Sequence, residues 1–233
     1  MTTALIDADI VAYRNAASCQ KKDQPIDPIE IALARVDEMM LRILHETSAT
    51  SYNSFLTGSD NFRYKYNPEY KANRKDTPRP QHLQHLREHL VTTWNATVED
   101  GQEADDAMGI FQSNNPDTVI ASIDKDLLMI PGNHYNFVTG VSRAIDSTTA
   151  IRHFYWQLLM GDRTDNIFGF DGLARQKIPN KLQPIFDELE SYDNELDMFD
   201  LVRSLYNDDE RLLMNGISLW IRRKEGEIWE FPH

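Results

Sequence analysis

Ala4-Leu5-Ile6-Asp7-Ala8-Asp9 is the stretch on which the fold turns. Three apolar residues run into two acids, the way a buried parallel strand delivers polar side chains to the edge of a sheet. Read as one extended strand, it sends Asp7 and Asp9 to the same side at the carboxyl end, where α/β proteins place their sites. Further along, Leu33, Val36, Met39, Met40, Ile43 and Leu44 recur at helical spacing between Pro28 and Thr47, an amphipathic helix that covers one face of the sheet. Ser51 to Leu56 reads as a second strand. Pro68, Pro78 and Pro80 break an aromatic and basic segment, after which Leu83, Leu86 and Leu90 mark a short helix. Another helix starts near Glu103, Thr118 to Ile123 is a β-branched strand, and His134 to Thr139 is one more. Strands alternating with helices predict an α/β fold, a three-layer, mostly parallel sheet with helices on both faces. Beyond about Ser147 the pattern turns helical, with Phe154, Trp156, Leu158 and Leu159 leading into Gly161-Asp162. The expected organisation is a core over 1–147 and a helical region over 148–233, with no linker long enough to separate two independent domains.

Composition excludes several classes. With 41% hydrophobic and 26% charged residues the chain reads as an ordinary soluble protein, no apolar run approaches a membrane span, and the acidic start is unlike a secretory signal. A cytoplasmic location with no membrane partner is expected. Cys19 is the only cysteine, which rules out an intramolecular disulfide and a cysteine-based zinc site. The formal net charge of −13 argues against nucleic acid only until its distribution is read. Between Arg63 and Arg87, seven bases (Arg63, Lys65, Lys71, Arg74, Lys75, Arg79, Arg87) face Glu69 and Asp76, a local balance of +5. From Asp187 to Glu210, ten acids face Arg203 alone. Such a chain can steer a phosphate backbone onto one face.

The carboxylates fall in clusters: Asp7 and Asp9; Glu103, Asp105 and Asp106; Asp124 and Asp126; Asp162 and Asp165. Any one pair reads as a solvated loop or a helix cap. Together they resist that reading, because two clusters follow apolar strands directly and so share one sheet edge, where acids repel unless divalent cations neutralise them. Magnesium suits oxygen ligands and retains water. Two such ions about 4 Å apart hold the attacking and leaving oxygens of a phosphodiester in line. No nucleophilic triad and no phosphate-binding P-loop is found.

Five motifs in order then resemble the flap endonuclease and 5′→3′ exonuclease superfamily, especially the small bacteriophage exonucleases related to the 5′-nuclease domain of bacterial DNA polymerase I. They are Leu5-Ile6-Asp7, Pro68-Glu69-Tyr70-Lys71-Ala72-Asn73-Arg74, Glu103-Ala104-Asp105-Asp106, Asp124-Lys125-Asp126-Leu127-Leu128 and Gly161-Asp162-Arg163-Thr164-Asp165-Asn166-Ile167. The resemblance implies a metal cluster of Asp7, Glu103, Asp105, Asp106, Asp124, Asp126, Asp162 and Asp165, with Asp9 less secure, holding two or more Mg2+ ions, or Mn2+ in their place. It implies a helical arch over about 63–92, where Tyr70 stacks a base and Lys71 and Arg74 hold the scissile phosphate, acting in catalysis beside Asp7 and Asp124. Arg63 and Lys75 in that segment, and Arg14, seven residues after Asp7, are further DNA-binding candidates. Gly169-Phe170-Asp171-Gly172-Leu173-Ala174 resembles the family's helix-hairpin-helix turn, implying a module at about 160–182 that grips duplex phosphates through Gly169, Gly172, Arg175 and Lys177, with a K+ ion. Ala174 stands where a third glycine is usual, which weakens the implied K+ site. The family usually has an acid after the second strand. Here Gly58 takes that place, and Asp60 either substitutes or caps a turn. The implied substrate is DNA with 5′ ends, nicks, gaps or flaps, with RNA–DNA hybrid as a further substrate, cut by a monomer working beside replication proteins.

Rival readings explain less. A haloacid-dehalogenase-type phosphohydrolase would use Asp7 as nucleophile but leaves the acids at 103–106 and 124–126 without a role. A PIN-type ribonuclease normally lacks the arch and the hairpin, and a non-catalytic DNA-binding protein would have lost acids that are intact here. His82, His85 and His89 read as a solvated helix face rather than a zinc site, and Trp156, Trp220 and Trp229 as core.

Overall fold

The computed structural model describes residues 2–21, 23–75 and 77–233. The chain divides into two compact units, one of Met1–Asn61, Pro78–Leu127 and Gly132–Ala144, the other of Phe62–Thr77, Leu128–Pro131 and Ile145–His233. The second unit thus takes in the front of the basic segment as well as the expected helical region.

The first unit is built on a six-stranded sheet. Strand β1 (Thr3–Asp7) is followed at once by helix α1 (Ala8–Ser18), then α2 (Ile29–Glu46) and β2 (Ser51–Asn61). The α1 helix was not expected. Reading Asp7-Ala8-Asp9 as extended fails because Asp7 is the helix N-cap, its Oδ1 accepting the Ile10 amide at 3.0 Å, and Asp9 sits in the first turn, where the helix dipole favours an acid. The buried positions Ala8, Val11, Ala12, Asn15 and Ala16 give α1 a face of mostly small residues, too weakly apolar to stand out in the sequence.

Parallel strands need crossover connections, and α-helices supply most of them in this sheet. Following α3 (Arg63–Tyr66), which belongs to the second unit, the chain makes α4 (Leu83–Trp94), β3 (Thr97–Gly101), α5 (Ala104–Asn114), β4 (Thr118–Ala121), β5 (Gly132–Asn136) and β6 (Val141–Ile145). The strand order is β3-β2-β1-β4-β5-β6, and the β1–β2, β1–β4, β2–β3 and β4–β5 pairs are parallel. Helices α1, α2 and α4 supply Val11, Ala12, Val36, Met40, Ile43, Leu86 and Leu90 to one core with Ala4, Ile6, Leu56 and Ala121, while α5 packs on β1 and β2. The order reverses between β1 and β4, so the crevice at their carboxyl ends is the topological switch point at which such folds bind ligands.

In the second unit, α6 (Ser147–Met160) leads into a short antiparallel ribbon of β7 (Gly161–Asp162) and β8 (Ile167–Phe168), followed by α7 (Gln183–Ser191), α8 (Glu195–Tyr206) and α9 (Asp209–Leu219). Between β8 and α7 lie turns and a 3₁₀ turn at Asn180–Leu182. The two-helix hairpin expected over about 160–182 is therefore not contained in that span: α6 ends where it begins and α7 starts after it. Phe154 lies at 4.9 Å from Trp220 and 5.3 Å from Trp229, ring centroid to centroid, which bears out the reading of these tryptophans as core. Gly216 in α9 lies under the Trp229 indole, where an added Cβ would overlap the ring. Gly216→Ala is expected to lower stability by roughly 2 kcal/mol through overpacking. Urea unfolding followed by tryptophan fluorescence checks this, and an unchanged midpoint would refute it.

Candidate functional site

Asp7 is the last residue of β1 and is 2% exposed. Its Oδ2 accepts the Ser122 hydroxyl at 2.6 Å, a bond that ties the end of β1 to the residue following β4, across the switch point. Ser122 Oγ in turn accepts the Asp124 amide at 3.0 Å, and Asp124 Oδ1 accepts the Asp126 amide at 3.0 Å. One serine thus orders the loop that carries two of the predicted ligands. Ser122 is not among the residues expected from sequence, although a hydroxyl two residues before an acid at a strand end is a local signal for such a turn. Burial pushes the Asp7 carboxyl up to about 7, against the lowering effect of Ser122 and the Ile10 amide, and the charges of Asp9 and Asp124 push it further up.

Glu103 and Asp106 face each other in a reciprocal capping box at the start of α5: the Glu103 carboxylate accepts from the N3 amide and Asp106 Oδ2 accepts the Glu103 amide at 3.0 Å. Both are buried, and Asp105 between them is half-buried. An ionised carboxylate offers about four lone-pair positions, so capping leaves these acids acceptor capacity. Asp9, treated above as a candidate ligand, is engaged by Arg87 and by the Thr57 amide at 2.7 Å. Asp60 accepts the Asn61 amide, the bond of a local turn.

Asp162 and Asp165 belong to the second unit. Asp162 Oδ1 accepts the amides of Thr164 at 2.5 Å and Asp165 at 3.2 Å, organising the tight turn between β7 and β8. Asp165 then receives the basic motif: Tyr70 donates its hydroxyl at 2.8 Å, Arg74 pairs with it at 2.5 Å and Lys71 at 3.5 Å. Backbone contacts complete the docking, with the Lys71 amide on Asp165 O (2.9 Å), Asn73 Nδ2 on Arg163 O (2.8 Å), Arg74 Nε on Thr164 O (3.0 Å) and Asn166 Nδ2 on Glu69 O (2.9 Å). Lys71 sits at φ 56°, a left-handed conformation that a lysine holds only when its surroundings impose it. The two sequence motifs, some ninety residues apart, form one hydrogen-bonded unit.

A family model for the 5′–3′ exonuclease N-terminal resolvase-like domain matches residues 2–156. This chain belongs to that family. Among solved structures it resembles the D15 protein of bacteriophage T5 co-crystallised with metal ions, at 17% identity and a TM-score of 0.68, over 94% of this chain and 89% of that one. It also resembles the T5 D15 flap endonuclease in a pseudo-enzyme–product complex with DNA and metal ions, at 18% identity and 0.66 over the same shares. The catalytic core of Rad2 in complex with DNA substrate matches at 13% identity and 0.52, over 97% of this chain and 78% of that one.

For a 5′–3′ exonuclease-family chain, several expected nucleic-acid contacts stand elsewhere. Arg63 is not a surface phosphate binder: it is 2% exposed, donates to the carbonyls of Ser218 (2.9 Å) and Trp220 (2.6 Å), and stacks on Phe62. A cation at the end of α9 complements the helix dipole. Tyr70 is 3% exposed, so its ring is packed inside rather than presented to a base. Lys71 and Arg74 hold a protein carboxylate, and Arg175 is paired with Asp171 four residues earlier. Arg14, Lys75 and Lys177 are exposed as expected. Gly172 takes φ 76°, and Gly169 is wedged against the Leu159 carbonyl, so both turn glycines are required by the backbone. Of the three histidines expected on a solvated helix face, only His85 is exposed: His82 is buried with its ring on Asp27 O, and His89 is half-buried and bonds to Asp37.

Among the described residues, no three His, Cys, Asp or Glu side chains form a ready-made cage. The first unit nonetheless fits a hard cation, since its donors are all oxygens and the buried Asp7 carboxyl gains its charged form when a cation sits beside it. Without metal, Asp7 should cost stability as pH rises. Below about 4 it is protonated folded and unfolded; between about 4 and 7 only the unfolded chain loses the proton, and the penalty levels off above 7 at a ceiling of roughly 4 kcal/mol. Asp7→Asn, which keeps the helix cap, should be more stable than wild type in EDTA at pH 8 and equal to it at pH 4. Urea denaturation across that range measures the difference; parallel curves would refute the burial argument.

Proposed function

We propose that the protein is a divalent-metal-dependent 5′-nuclease that hydrolyses phosphodiester bonds at DNA 5′ ends, including nicks, gaps and flaps, with RNA–DNA hybrid as a further substrate. The observation that carries this reading is the buried Asp7 at the switch point, bonded through Ser122 to the loop that bears Asp124 and Asp126. Asp7 and Asp124 are the core ligands in this reading, joined by Glu103, Asp105, Asp106 and Asp126, and the family resemblance adds Asp162 and Asp165 to the proposed ligands. Mg2+, when bound, supplies an activated water and shields the charge on the leaving oxygen. The chain's own contribution is placement. Ser122 fixes the Asp7 carboxylate and the Asp124 backbone together, the capping box fixes Glu103 and Asp106, and α5 begins on the edge of the sheet where β1 ends.

Lys71 and Arg74 supply positive charge for the scissile phosphate, where an ammonium and a guanidinium stabilise charge developing in the transition state. Their bonds to Asp165 hold them in a defined place until a phosphate competes for them. The amides of Gly169 and Gly172, expected to grip duplex phosphates, are instead bonded within the turn to the carbonyls of Leu173 and Gly169, both at 3.0 Å, so the exposed Lys177 is the phosphate contact of that turn in this reading, and a K+ ion there belongs to the same reading. The acids of Asp187 to Glu210 leave the basic groups as the phosphate-attracting part of the chain. The protein works as a monomer in this account, beside the replication proteins that expose 5′ ends.

The test is Mg2+-dependent release of nucleotides from duplex DNA labelled at one end or the other. Wild type should release the 5′ label, Asp124→Asn should lose at least about a hundredfold in rate while remaining folded, and Lys71→Ala should lower kcat more than it raises KM. Release from the 3′ end only, or an unaltered rate for Asp124→Asn, would overturn the assignment.

A further inference from the structure

Arg87 ends the basic segment in the sequence, yet its guanidinium is turned inward to the sheet edge. From α4 it pairs with Asp9 Oδ1 in the first turn of α1, and its NH2 donates to the Thr57 carbonyl in β2 at 2.5 Å. The other Asp9 oxygen accepts the Thr57 amide at 2.7 Å, and the Thr57 hydroxyl accepts the amide of Ala104, the first residue of α5, at 3.1 Å. One residue of β2 is thereby bonded to three helices. The chain positions next to this junction are proposed ligands: Asp7 is two residues before Asp9, and Glu103 immediately precedes Ala104.

Resting on the nuclease reading above, we propose that Arg87 is a positioning residue that withholds Asp9 from the metal site. A carboxylate so close to Asp7 is a ready ligand for a hard cation, but unlike Asp7, whose two bonds come from neutral donors, Asp9 already has its charge compensated by the Arg87 guanidinium, with its other oxygen on the Thr57 amide. The pair is only partly open to water, with the Arg87 and Asp9 side chains 24% and 28% exposed, which limits screening. The planar fork of an arginine reaches Asp9 and the Thr57 carbonyl at once, whereas a lysine offers a single charged point. Loss of Arg87 releases Asp9 and adds a negative charge near the ligands. A cation is then held more tightly but off the position that Asp7 and Asp124 define. Binding and turnover therefore move in opposite directions, whereas simple loss of structure weakens both.

The experiment measures Mn2+ binding to the full chain without DNA, by the paramagnetic resonance of free Mn2+, alongside kcat for 5′-label release and thermal unfolding. Arg87→Gln is expected to bind Mn2+ about tenfold more tightly and to turn over roughly tenfold more slowly. Arg87→Gln combined with Asp9→Asn should return the affinity to that of wild type. Arg87→Lys, which keeps the charge and loses the fork, should shift affinity in the same direction by less, and it carries the comparison if Arg87→Gln does not fold. Equal or weaker Mn2+ binding in the folded Arg87 variants overturns the proposal, as does tight binding that survives Asp9→Asn. A wild type that binds Mn2+ and cleaves while these patterns fail leaves the nuclease reading standing; a wild type that does neither removes both.

Discussion

The first unit depends on one buried carboxylate. Asp7 closes β1, caps α1 through Ile10, and holds the Ser122 hydroxyl across the switch point of the sheet. An ionised carboxylate in that place has lost its water, and two hydrogen bonds do not replace the hydration it gives up. Burial accordingly pushes its carboxyl up to about 7. A position that is costly for folding is well suited to holding a cation, because the cation supplies the charge compensation that the protein itself does not. The local architecture serves that position: parallel strands bring their carboxyl ends to one edge, and the N-termini of α1 and α5 open on it.

The second unit solves a different electrostatic problem. The basic motif at 69–74 has no apolar face of its own beyond Tyr70, and docks instead through the turn at 162–166, with Asp165 as its counter-charge. The contacts to backbone carbonyls fix the geometry, and the left-handed Lys71 backbone is held by its amide bond to the Asp165 carbonyl. Cations so placed carry charge at a defined point instead of on mobile surface side chains, and part of the basic cluster read from the sequence is thus structural.

Much of this was legible in the chain. The run into Asp7, the helical spacing from Leu33 to Leu44 and the β-branched stretch at Thr118 give strands and helices that the structure contains, because burial on one face leaves a periodic trace. Helix α1 left little trace: its buried face is mostly alanine, and Asp7-Ala8-Asp9 fits a strand pattern as well as a helix start. The roles of charged residues were less legible still. Arg63 and Arg87 look alike on paper, but one is buried beneath α9 and the other is bonded to Asp9, since a long side chain can reach partners distant in sequence. Ser122 and Thr57 were passed over for the same reason, as their importance lies in the atoms they join.

The central claim is that a divalent cation binds by displacing the proton held on Asp7. Calorimetric titration of the intact protein with Mg2+, repeated in buffers of different ionisation enthalpy, counts the protons released. The account predicts release of most of one proton on binding at about pH 6, falling towards none at about pH 8.5, with the change lost in Asp7→Asn. Binding that releases no proton at either pH would show that Asp7 is already charged, and the account of the site would fall with it.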